Sequence, residues 1–228
     1  MGMLRKNILA IIITILVSCF ITSDAKSAVL FTDTFINDFN SQTNSVWGSE
    51  TGTWLAEGGV YKTSTPSCMP QTYSSITSLP NLTDFTVNVD INSLNDGGIF
   101  LRSQDNLHGI LLVTGGMIDG LYWHIVNDSY YPRTGDLYIA GFKGSNSHIT
   151  IDVKGNTYTA YVNNNKELST TLVDNTYTSG KVALYSNSSQ TFDNIVISDN
   201  SPTPTPEPST LILGFMSLSG LFGLKRRK

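Results

Sequence analysis

Residues 84–91 read "DFTVNVDI", and residues 148–168 read "HITIDVKGNTYTAYVNNNKEL". In the first stretch Phe85, Val87, Val89 and Ile91 take alternate positions, with Thr86, Asn88 and Asp90 between them. Successive side chains of a strand point to opposite faces, so this period of two predicts a strand with one apolar and one polar face. The second stretch repeats the pattern through Ile149, Ile151 and Val153. Gly155-Asn156 then supplies a tight turn, and Tyr158–Val162 returns as the hairpin partner.

The same signal recurs outward along the chain. "GGIFLRS", "HGILLVT", "GLYWHIV", "GKVALYS" and "FDNIVIS" each read as a short strand, and "GTWLAEGGVYKT" as a hairpin turning at Glu57-Gly58-Gly59. No amphipathic helix pattern interrupts them. Many short strands with Gly/Asn turns predict an all-β fold: two antiparallel sheets packed as a jelly-roll sandwich.

Both ends differ from this middle. Arg5 and Lys6 precede the apolar run "ILAIIITILV", and "SCFITSDAKSA" follows, which is the layout of a secretory signal peptide over 1–27. Two other readings stay open: an uncleaved anchor, and "LVSC" at Leu16–Cys19, which resembles a lipoprotein box with Cys19 carrying lipid. At the far end an extended Thr/Pro linker, 200–208, leads to an apolar segment, Leu211–Leu224, and four basic residues. As a helix at ~1.5 Å per residue that segment would reach about 21 Å, short of a bilayer core of ~30 Å. The basic residues of both ends stay inside under the positive-inside rule, so the middle is exported.

The exported part, 28–199, suits one domain with a proper core. Charged residues make up 14% of the chain, against about a quarter in an average domain, and the net charge is −4. That balance argues against a nucleic-acid partner. Past the signal, Cys68 is the only cysteine, so no internal disulfide is expected; the thiol is read as buried and inert, with an intermolecular bridge as the other reading.

Two resemblances carry expectations of their own. Pro206-Glu207-Pro208, the apolar segment and Lys225, Arg226, Arg227 and Lys228 resemble, in that order, the PEP-CTERM sorting signal of Gram-negative bacteria. The resemblance implies a C-terminal sorting helix over 209–228, recognition by an exosortase and passage through the inner membrane. It also implies a final place at the cell surface or in an exopolysaccharide and biofilm matrix. "DTFINDFN…W…GTWLAEGGVY" and "IDVKGNTYTAYVNNNKEL…SGKVALYSNSSQTFDNIVIS" are similar to the opening and closing strands of concanavalin-like, laminin-G/glucanase-type jelly rolls. That group includes glycan-binding modules, laminarinase-type hydrolases and the keto-disaccharide-hydrolase-like family.

Catalysis is harder to read than binding. A retaining glycosidase needs two carboxyl groups about 5–5.5 Å apart. The exported domain has three glutamates, Glu50, Glu57 and Glu167, and the last two read as turn residues. Asp90 and Asp96 lie in "NVDINSLND", a composition that reads as a turn. His108, His124 and His148 lack zinc-site spacing. Catalysis is therefore not expected; the alternatives are a sugar hydrolase using Asp90, Asp96 or His124, and a purely structural matrix protein with protein partners.

For binding, alternation in "LYWHIV" sends Leu121, Trp123 and Ile125 to the core and Tyr122 and His124 to the other face. Arg102, opposite in sense to Ile99 and Leu101, is expected beside them on a concave face that would hold extracellular polysaccharide. Tyr130-Tyr131 before Pro132 reads as a loop platform or loop packing. The jelly-roll resemblance also implies a structural calcium where first and last strands meet, with Asp33 and Asp193 as its carboxylates. The competing reading of Asp193 is a turn cap.

Overall fold

Alternation places the strands well. The structure, a computed structural model, describes residues 27–68, 71–116, 119–128 and 133–200, without the side chains of 133–138. The first strands are β1 (Val29–Asp33), β2 (Phe39–Asn40), β3 (Trp54–Glu57), β4 (Val60–Thr63) and β5 (Ser74–Ser75). Then come β6 (Phe85–Asn92), β7 (Gly97–Asp105), β8 (His108–Gly115), β9 (Gly120–Asn127) and β10 (Arg133–Ala140). The last are β11 (Ser147–Lys154), β12 (Thr157–Val162), β13 (Asn165–Val173), β14 (Lys181–Ser186) and β15 (Thr191–Asp199). All lie within one compact unit, Ser27–Pro202.

The strands form two antiparallel sheets. One has nine strands in the order β13-β12-β11-β6-β15-β4-β3-β2, with β1 paired to β15 off that path. The other has six, in the order β10-β9-β8-β7-β14-β5. First and last strands therefore meet, with Asp33 opposite Ile195. Strands distant in sequence close the sheet around β6, which lies between β11 and β15.

β6 alternates buried and half-buried residues along its whole length, as the sequence predicts. Its apolar set joins Ile149, Ile151 and Val153 of β11 and Ile99, Leu101, Leu112, Leu121 and Trp123 of the other sheet in one core. At one end Phe35, Trp47, Trp54 and Tyr61 pack ring on ring, and Phe35 and Tyr61 stack at 5.1 Å. Each such buried aromatic contributes on the order of 1.5–3 kcal/mol of transfer free energy.

The six-stranded sheet is apolar on both sides. Its second side carries Phe100, Leu111, Val113, Val126, Ala183 and Tyr185, with Tyr73 beside them, as a separate buried cluster. β7 and β8 accordingly read as near-continuous apolar runs rather than alternating ones, the pattern of a sheet covered on both faces.

Three expectations fail. Cys68 is exposed, because the 64–68 stretch runs over the surface between β4 and β5 instead of entering the core. Asp90 belongs to β6, where the alternation of its stretch outweighs its turn composition, and Glu167 to β13, inside the irregularity of its pairing with β12, so neither is a turn residue. Arg102, expected on an open face, is 2% exposed. The signal peptide, Cys19, Tyr130-Tyr131-Pro132, Pro206-Glu207-Pro208 and Lys225–Lys228 lie outside the described residues. Within the described ones, no helix is long and apolar enough to cross a membrane.

Candidate functional site

β9 places Trp123 in the inter-sheet core, where its Nε1 donates to Thr170 Oγ1 at 3.2 Å. The neighbouring side chains, Tyr122 and His124, therefore turn to the sheet's second side. Both are half-buried, and their rings meet edge to face at 5.3 Å. Tyr122 packs on the second apolar cluster. Gly116 lies against its hydroxyl: a Cβ there, at φ +56°, would come within 2.3 Å of Tyr122 Oη. Glycine is thus favoured there by the left-handed backbone, and a larger residue would push on the Tyr122 ring. The result is an aromatic edge with a phenol and an imidazole on an apolar bed.

Arg102 is not part of that edge. The pairing of β7 with β8 shifts register between Leu101 and Asp105, and Arg102 takes φ +48°. Such a bulge re-aims a side chain, and this one swings inward. Its Nε donates to Thr83 O at 2.9 Å, Nη2 to Gly155 O at 2.7 Å, and Nη1 to Tyr158 Oη and Tyr177 O at 3.0 and 3.1 Å. The guanidinium also lies 5.2 Å from the Tyr158 ring centre and 3.4 Å from Asp84 Oδ1. Arg102 ties four segments together instead of facing a ligand.

Glu50, Asp90 and Asp96, the acids singled out from the sequence, do not converge. Glu50 accepts from Ser75 N at 3.0 Å and pairs with Ser75 Oγ, so it stands at the β5 edge of the six-stranded sheet. Four inter-strand steps of about 4.8 Å, roughly 19 Å along the sheet, separate β5, which Glu50 borders, from β9, which carries Tyr122 and His124. An inverting pair of carboxyls spans at most about 9.5 Å. Asp90 points outward from the other sheet, with Oδ1 2.6 Å from His148 Nδ1 and Oδ2 accepting from Asn194 Nδ2 at 2.8 Å. Asp96 binds Asn187 through Oδ2 at 2.7 Å. Asp90 and His124 thus face away from one another on opposite sides of the sandwich and cannot share one substrate.

The calcium pair does not fit either. Asp33 Oδ1 accepts from Phe35 N at 2.9 Å and Oδ2 from Trp47 Nε1 at 2.8 Å, so its carboxylate serves the β1 turn and the core. Asp193 caps its neighbour Asn194 N at 2.7 Å and lies opposite Asp90. Among the described residues no three His, Cys, Asp or Glu side chains gather as metal ligands.

Two arrangements were hidden from sequence reading. His108 Nδ1 lies 2.8 Å from Asp105 Oδ1 and its Nε2 lies 3.2 Å from Asp128 Oδ1, clamping the β7–β8 hairpin to the end of β9. The hydrogen bond to Asp105 holds this imidazole above its ordinary pKa, helped by the charges of both carboxylates. The second is a polar hollow of about 270 Å³ formed by Asp90, Asn92, Asn146, Ser147, His148, Asp193 and Asn194. Outward alternation on β6 and β11 puts Asp90 opposite His148 once the strands are paired, which is the one signal that could have revealed it.

Comparison with known proteins gives the fold a lineage. Residues 34–198 match the family model described as a 3-keto-alpha-glucoside-1,2-lyase-like domain. Among solved structures, the carbohydrate-binding module CBM66 from Bacillus subtilis superposes with a TM-score of 0.58 at 14% identity, covering 69% of this chain and 98% of the module. A non-specific endo-beta-1,3(4)-glucanase of family GH16 gives 0.53 at 11% identity over 77% of this chain and 92% of that one. A mutant GH43 protein from Bacillus licheniformis gives 0.54 at 9% identity, covering 74% of this chain and 39% of that one. These likenesses establish the concanavalin-like sandwich. No curated protein sequence matches the chain.

Proposed function

We propose that this chain, which belongs to the 3-keto-alpha-glucoside-1,2-lyase-like domain family, is an exported β-sandwich that binds or organises extracellular polysaccharide without cleaving it. The observation that carries the reading is the half-buried Tyr122–His124 edge on the second, apolar side of the six-stranded sheet. A sugar ring offers an apolar face to an aromatic side chain and hydroxyls to polar groups around it, and this edge supplies both kinds of surface. The place of Glu50, four strands away from that edge on the same sheet, supports binding over hydrolysis. The carbohydrate-binding module of like fold points the same way.

Delivery follows from the ends of the sequence. The resemblance of the Pro206-Glu207-Pro208 tail to a PEP-CTERM signal supports sorting by an exosortase at the inner membrane, with the sandwich displayed at the cell surface or in the matrix. The full chain is expected to give hits on a glycan array and to be retained by at least one exopolysaccharide. Tyr122→Ala and His124→Ala should each weaken retention about tenfold, the loss of one aromatic or hydrogen-bond contact of ~1.4 kcal/mol. A blank array together with a blank pull-down overturns the reading.

A second reading, hydrolysis of a keto-disaccharide-like substrate, is favoured by the family match alone. It requires turnover of a glycoside that disappears on replacing His124. Inactivity across a broad glycoside panel removes it.

A further inference from the structure

On the outward face of the nine-stranded sheet, far from Tyr122 and His124, β15 breaks register between Asp193 and Val196. Asn194 takes φ +48° there, and its side chain reaches across to β6. Asn92 and Asn146 bring further amides, and His148 stands on β11 beside Asp90. The open hollow lined by these groups, about 270 Å³, is roughly nine times the ~30 Å³ share of one liquid water. That is room for a single pyranose ring with its hydroxyls.

The inventory of polar atoms narrows the occupant. Asn146 Oδ1 accepts from Ser93 N at 3.0 Å, and Asn92 Nδ2 donates to Thr191 Oγ1 at 3.5 Å. The amide group of Asn146 and the amide oxygens of Asn92 and Asn194 have no partner among the described residues. Donors and acceptors thus ring the hollow, as vicinal hydroxyls require, since each hydroxyl both donates and accepts. A metal ion is disfavoured because no three His, Cys, Asp or Glu side chains gather as ligands among the described residues, and an anionic sugar because Asp90 and Asp193 repel it.

We propose that this hollow is a second carbohydrate site, taking one neutral hexopyranose unit through hydrogen bonds alone. It rests on the polysaccharide reading for the class of ligand, but on no residue of the Tyr122–His124 edge. No aromatic face lines it, so binding is millimolar and selective for hydroxyl configuration. Two sites on opposite outer faces let one domain bridge two glycan chains, which turns a binder into a cross-linker of matrix.

The test is a titration of the isotope-labelled full chain, in a sugar-free zwitterionic detergent, with methyl α-D-glucopyranoside, methyl α-D-galactopyranoside and methyl α-D-mannopyranoside. Side-chain amide resonances of Asn92, Asn146 and Asn194 are read by heteronuclear correlation spectroscopy. At least one neutral glycoside should shift them saturably, whereas methyl α-D-glucopyranosiduronate should not. Asn194→Gly keeps the left-handed backbone while deleting the amide, and should weaken those shifts about tenfold. Asn146→Ala, off the strands, should do the same if Asn194→Gly disturbs the fold. Shifts confined to Tyr122 and His124 overturn the second site and leave the polysaccharide reading standing. Shifts nowhere, together with a blank array, overturn both.

Discussion

Replacing Arg102 with alanine should destabilise the sandwich by about 4 kcal/mol. The side chain is 2% exposed and donates to Thr83 O, Gly155 O, Tyr177 O and Tyr158 Oη. Truncation leaves those acceptors to find other donors, at ~1–3 kcal/mol for each one left unsatisfied. Breaking a buried charged contact such as that with Asp84 costs on the order of 3–5 kcal/mol overall, and the terms are not additive. A domain of this size loses about 2–4 °C of Tm per kcal/mol, so the expected fall is about 8–16 °C. Arg102→Lys keeps the charge but not the planar fork, and should cost about half as much. Thermal unfolding by circular dichroism and urea titration of the Ser27–Pro202 unit, which contains the whole inter-sheet core, give both numbers. A change within ~0.5 kcal/mol is what a solvated sheet arginine would give, and it would refute the latch. Loss of glycan retention in Arg102→Lys at unchanged Tm would return Arg102 to the binding face.

The His108 clamp makes stability depend on pH. Its folded pKa lies above the ordinary ~6.5, so its contribution is complete below about pH 6.5 and fades as pH rises through the raised folded value. His108→Gln should therefore lower Tm on the acid side and converge with the parent on the alkaline side; parallel curves would contradict the clamp. Exposed Cys68 should react stoichiometrically with a thiol reagent in the folded Ser27–Pro202 unit, whereas reaction only in denaturant would place it inside. Millimolar calcium should leave the Tm of that unit within about 1 °C. A structural ion at one hundred times its Kd would add about 2.7 kcal/mol, and a shift of that size would restore the Asp33–Asp193 site.

The strands were legible because their information is local. "DFTVNVDI" specifies its own two faces, and Gly155-Asn156 its own turn, without reference to any partner. Trp123 and Tyr122 were separated correctly for the same reason. Arg102 was misplaced because one bulge reverses alternation, and the bulge arises from pairing with β8, which no short window reports. The grouping of Asp90, His148 and Asn194 escaped notice because 58 and 104 residues separate Asp90 from the other two, and only the order β11-β6-β15 brings them together. Cys68 misled because cysteine's preference for interiors is a general tendency that the course of a surface loop overrides.

Backbone hydrogen exchange of the full chain, with and without the strongest glycan found on the array, tests the central claim most directly. The account predicts added protection on β9 and the Gly115–Gly116 turn, centred on Tyr122 and His124, and lost in Tyr122→Ala. Equal exchange at β9 in the presence of a glycan that demonstrably binds would contradict it.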